Sequence, residues 1–108
     1  MNWKDIESES DLAELNERSR QVPQLIFKHS TRCGTSSMAL DRMQRAVQPE
    51  NLEIHYLDLL LHRNLSNKIA ADYKVQHESP QILLIKNGAC EYDASHGEIN
   101  MKSLTAKL

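Results

Sequence analysis

Apolar residues recur along the chain at two different spacings, and each change of spacing predicts a change of element. Between Asp11 and Arg20, Leu12 and Leu15 share one face of a helix, and Asp11 followed by Glu14 resembles a capping box. Pro23 marks the exit. "QLIFKHS", residues 24–30, is then a short apolar run that suits a buried strand. A second helix is predicted from just after Cys33 to about Val47, with Ala39, Met43, Ala46 and Val47 as its stripe and Pro49 as its stop. "NLEIHYLDL" alternates, which puts Leu52, Ile54 and Tyr56 on one side of a strand. "RNLSNKIAADYKV" returns to helical spacing through Leu65, Ile69 and Tyr73. Two strands joined at Asn87-Gly88, a strong hairpin signal, come next. Asn100 caps a last helix that carries Met101, Leu104 and Leu108.

The order predicts an α/β fold. Two strands joined by a helix should lie parallel with a right-handed crossover, and the hairpin should add an antiparallel edge pair. The expectation is a four-stranded mixed sheet flanked by helices on both faces, in one domain spanning 1–108. Cys33 then sits between the carboxyl end of the first strand and the amino end of its helix, a rim where open sheets of this kind bind ligands.

Composition narrows the function classes. A net charge of −2 in 108 residues gives no basic excess that calls for nucleic acid. No segment is apolar for long enough to serve as a signal peptide or membrane span, so a soluble cytoplasmic protein is expected. Two cysteines, Cys33 and Cys90, are too few for a disulfide scaffold. His29, His55, His62, His77 and His96 are scattered, and no metal site is expected.

Cys33 is the candidate for chemistry. A helix N-terminus offers unpaired N–H groups and the positive end of the helix dipole, both of which favour a thiolate. Thr35, Ser36 and Ser37 add hydroxyl donors, Arg32 and His29 are candidate cationic neighbours, and Gly34 allows close approach of a substrate. Against this stands the ordinary fate of a free cysteine, as a small buried hydrophobe. Pro80 precedes the third strand, and Ser79 there offers backbone groups to an extended substrate. His96, at the end of the fourth strand, should come to the same rim. Cys90 lies nearer the hairpin turn and is read as packing, with a resolving cysteine as the lesser option.

"LIFKHSTRCGTSS", "HESPQILLIKNG" and "YDASHGEI", in this order, resemble three motifs of the monothiol bacilliredoxins, a general stress protein family of the thioredoxin superfamily. The resemblance runs from about Ile6 onward. It implies a thioredoxin-like fold and removal of bacillithiol, or a similar low-molecular-weight thiol, from mixed disulfides on client proteins. Cys33 would be the nucleophile, with Gly34, Thr35, Ser36, Ser79, Pro80 and His96 at the substrate, and Ser79–Pro80 as a cis-proline platform. Ser36 in the second motif position implies that no internal disulfide forms there, so an external thiol must regenerate Cys33. No tightly bound cofactor and a monomer acting on S-thiolated proteins are expected. His29, Ser95 and His96 match recurring family positions, whereas Gly34-Thr35 departs from the family's frequent Pro-Ile. "CGTS" is also similar to the "CGFS" of monothiol glutaredoxins, which carry an iron–sulfur cluster, but the chain lacks that motif's Phe and the glutathione loops. A non-catalytic interaction domain is the third reading.

Overall fold

β2 (Gln24–His29) is buried at every position, and that makes it the centre of the molecule. In the computed structural model, which describes residues 1–108, it is flanked by β3 (Glu53–Asp58) in parallel and β4 (Gln81–Lys86) in antiparallel. β5 (Ala89–Ser95) pairs with β4 through a turn in which Asn87 and Gly88 both have positive φ, 53° and 79°, as a type I′ hairpin requires. The parallel pair and the hairpin are as expected. The strand count is not: the sheet has five strands, because β1 (Trp3–Asp5) adds in parallel to the free edge of β3. This strand is three residues long and two of them are charged, so it carries no apolar run. Its stability comes from the edge it joins and from Ile6, buried just beyond it.

Helices cover both faces, and each face has its own core. α1 (Glu9–Arg18) and α3 (Arg63–Tyr73) bring Leu12, Leu15, Leu65 and Ile69 against Ile26, Leu57, Leu83 and Ile85. α2 (Gly34–Gln44) and α4 (Met101–Thr105) bring Ala39, Met43 and Leu104 against Leu25, Phe27, Ile54, Ile82 and Leu84. Burying each large side chain contributes about 1.5–3 kcal/mol, and the adjacent strands β2 and β4 feed both cores, through Leu25, Ile26 and Phe27 and through Ile82, Leu83, Leu84 and Ile85.

Two helix boundaries differ from expectation. α1 starts earlier: Ser8 is its cap, accepting from the Asp11 N–H at 3.1 Å, while Asp11 accepts from the Glu7 N–H. This resembles a capping box one turn ahead of the Asp11–Glu14 pair, with Asp11 reaching the N–H of the residue before the cap rather than that of Ser8. α2 stops at Gln44 rather than near Val47, and Val47 is 87 % exposed. Pro49 bars helix at Gln48 but does not set the earlier stop, where the Ala46 N–H already turns to the Met43 carbonyl at 3.1 Å. Asn100 caps α4 as expected, accepting from the Ser103 N–H at 2.8 Å.

Candidate functional site

Strand register brings the predicted site residues to one rim. Lys28 of β2 lies opposite Gln81 of β4, and Gln81 lies opposite Ser95 of β5. Cys33 follows β2, Ser79–Pro80 precedes β4 and His96 follows β5, so all three leave the sheet at the same end. A 3-10 turn at His96–Glu98 packs against α2.

Cys33 is the N-cap of α2, half-buried, with extended backbone at φ −111° and ψ 119°. Its N–H donates to the Ser30 carbonyl at 3.2 Å, and its carbonyl accepts from the Ser37 N–H at 3.0 Å. Its thiol makes no capping hydrogen bond. The first N–H groups of α2 have no acceptor within the helix, and Cys33 stands at that end of it. A Cβ added at Gly34 would meet nothing within 4 Å, so packing within the chain does not demand glycine there. Thr35 is exposed. Beside Cys33, Thr31 and Arg32 line a shallow depression with Asp58, Leu60 and Leu61; Asp58 shapes that loop by accepting from the Leu60 and Leu61 N–H groups.

Ser36 does not face a substrate. It is fully buried, accepting from the Ser30 N–H at 3.0 Å and lying 2.8 Å from His29 Nδ1. We assign the Ser36 hydroxyl as donor to Nδ1, with the ring proton on Nε2. Burial pushes the His29 pKa down, so this ring is a neutral acceptor and not the cationic neighbour expected for the thiol. The serine in the second motif position locks the strand-to-helix turn from beneath.

The Ser79–Pro80 peptide is cis and Pro80 is buried. The Pro80 carbonyl accepts from the His96 N–H at 3.1 Å, and the His96 imidazole lies 3.9 Å from the Glu78 carboxylate. Ser79 Oγ is buried without a partner. Cys90 sits opposite Ile85 near the hairpin turn, packed against the α1–α3 core. Burial pushes its thiol up to about 11, and its Sγ donates to the Tyr92 carbonyl at 3.4 Å.

Two buried polar groups near the ends of β2 escaped the sequence reading. Gln24 accepts from His55 Nε2 at 2.6 Å and donates to Glu53, which Arg18 also holds. Lys28, fully buried, donates to the Ser66 carbonyl at 3.2 Å and approaches His77 Nδ1 at 3.3 Å. The signal available was "QLIFKHS" itself: a strand buried on both faces must also bury its Gln, Lys and His.

The family model described as monothiol bacilliredoxin BrxC matches residues 4–104. A solved structure described as a candidate oxidoreductase with a thioredoxin fold is 29% identical, covers 94% of this chain and 89% of its own, and superposes with a TM-score of 0.83. The thioredoxin of Malassezia sympodialis is 14% identical over 98% of this chain and 87% of its own, with a TM-score of 0.77. The Fasciola hepatica thioredoxin is 18% identical over 96% and 94%, with a TM-score of 0.70. The fold is thus thioredoxin-like, as the motifs implied.

Proposed function

This chain belongs to the monothiol bacilliredoxin family of thiol oxidoreductases, and we propose that it strips bacillithiol, or a similar low-molecular-weight thiol, from mixed disulfides on client proteins. The observation that carries the reading is the isolation of Cys33. Its thiol lies half-buried at the start of α2, Ser36 is turned into the core, and Cys90, also half-buried, packs near the hairpin turn against the core on the other face of the sheet. A thiol so placed has no internal partner.

The Cys33 thiolate attacks the small-thiol sulfur of the mixed disulfide. A bond forms between these two sulfurs, the original disulfide breaks, and the client leaves as a thiolate that takes a proton from water. An external thiolate then attacks the Cys33 adduct, restoring Cys33 and leaving a small-molecule disulfide. The unpaired N–H groups at the start of α2 stabilise the thiolate, and the Ser79–Pro80 segment lies at the same rim to receive the extended backbone around the client's cysteine. His96 and Glu78 flank that segment. We place the reaction in the cytoplasm, by a monomer with no resident cofactor; no helix is long and apolar enough to cross a membrane.

The test uses a client protein carrying one mixed disulfide with bacillithiol. Cys33→Ser should abolish release, Cys90→Ser should keep most of it, and intact mass should find one small-thiol adduct on wild-type Cys33. Release by Cys33→Ser at the wild-type rate would refute the mechanism.

A further inference from the structure

Lys28 is a charged side chain with no accessible surface and no acidic partner: none of the molecule's ion pairs includes it. Burying an ammonium without a carboxylate is costly, and an apolar residue of similar length in its place is commonly neutral or stabilising. Its partners are instead the Ser66 carbonyl of α3 and His77 Nδ1. An ammonium can only donate, which makes Nδ1 the acceptor, and Ser66 Oγ also lies 3.2 Å from that nitrogen. His77 begins the segment that ends in the cis Ser79–Pro80 peptide. From β4, the next strand over, Gln81 reaches back into the same segment, donating to the Gln76 carbonyl at 3.0 Å. The buried polar layer at this end of β2 and β4 therefore grips the loop at residues 76 and 77.

We infer that Lys28 and His77 are positioning residues: the buried ammonium holds the His77 ring so that the 77–80 segment presents the Ser79–Pro80 peptide beside Cys33. This rests on the proposed reaction, in which that segment receives the client. The effect travels through the backbone. His77 anchors the loop at one end, and the Pro80 carbonyl, fixed by it, accepts the His96 N–H at the other. Cys33 itself is untouched, since Lys28 points into the α1–α3 face while Cys33 caps a helix on the opposite face.

The experiment compares Lys28→Met, His77→Leu and His77→Asn with the wild type, and Asn is chosen because its carbonyl oxygen sits where Nδ1 accepts. Hydrogen exchange of the His96 amide reads the loop without any activity. KM and kcat for release from a mixed-disulfide client read its consequence, and urea unfolding and alkylation of Cys33 serve as controls. In Lys28→Met and His77→Leu, His96 protection should fall about tenfold and KM rise about tenfold, with kcat and Cys33 alkylation within twofold. Lys28→Met should unfold at the wild-type urea midpoint or above, which a merely structural lysine would not do. His77→Asn should restore protection and KM to within about threefold. Unchanged His96 protection in both Lys28→Met and His77→Leu would overturn the inference. A wild type that releases no thiol would remove the proposed reaction, while the exchange data would still decide whether the pair fixes the loop.

Discussion

Ser36→Ala is the sharpest test of how the strand-to-helix turn beneath Cys33 is built. The hydroxyl serves two buried groups at once, accepting from the Ser30 N–H and donating to His29 Nδ1. Alanine leaves a buried donor and a buried acceptor unpaired, each costing about 1–3 kcal/mol. The loss of one oxygen leaves little cavity, so the hydrogen-bond cost dominates. Ser30 and His29 are 9 % and 5 % exposed, enough for partial rescue by water, which favours the lower part of the range. The expected destabilisation is roughly 2–4 kcal/mol. With a urea m-value of about 1.5 kcal/mol/M, the midpoint falls by roughly 1.3–2.7 M. Trp3, the only tryptophan, reports unfolding because its ring packs edge-on to Phe27 and Tyr56. A second measurement isolates the His29 bond. In a His29→Phe background, which has no ring acceptor, Ser36→Ala should cost about 1–2 kcal/mol less than in the wild type. Cys33 alkylation should change little throughout, because Ser36 turns away from the thiol. A midpoint shift under about 0.3 M at unchanged m-value would refute the account, and so would a cycle with no coupling.

Stability should fall on acidification before any carboxylate titrates in bulk. Burial holds His55 down to about 4, against about 6.5 in the unfolded chain, so the unfolded state binds the proton first. The contribution is complete above about pH 6.5 and is lost as pH descends to about 4, amounting to about 3 kcal/mol. His29 and His77, also lowered, act in the same direction. Urea midpoints from pH 7 to pH 4 check this, and a flat profile would contradict it. Iodoacetamide at pH 8 should give one adduct by intact mass, on Cys33, because the Cys90 thiol is pushed up to about 11 and stays protonated. Equal labelling of both would show that Cys90 is not held in the core. Gly88→Ala should cost about 1 kcal/mol in urea unfolding, since Gly88 has φ of 79° and the hairpin turn requires it.

The elements that the sequence reveals are those whose pattern arises from one-sided burial or from a turn residue with a fixed conformational demand. α1 and α3 show helical stripes, Asn87-Gly88 can hardly be anything but a hairpin, and Asn100 caps the last helix. β1 is invisible because its stability is not local: Lys4 and Asp5 join a sheet whose edge is made about fifty residues later. The site divides along the same line. Cys33 is legible, since its position at the start of α2 follows from strand and helix signals on either side. The role of Ser36 is not, because spacing shows that a second cysteine is missing and says nothing of where the hydroxyl turns. The same holds for Lys28 and His77, separated by 49 residues and joined only when β2 and β4 pair. A monothiol site thus has two layers of determinants. The motif selects the chemistry, by providing one sulfur and withholding the other. A buried polar layer under the motif, made of His29 and Ser36 on one face of β2 and of Lys28, Ser66 and His77 on the other, holds the turn and the cis-proline loop. Substitutions of Lys28, His29, Ser66 or His77 should alter presentation of the substrate while leaving the motif intact, so a chain can keep "RCGTS" and still lose the site.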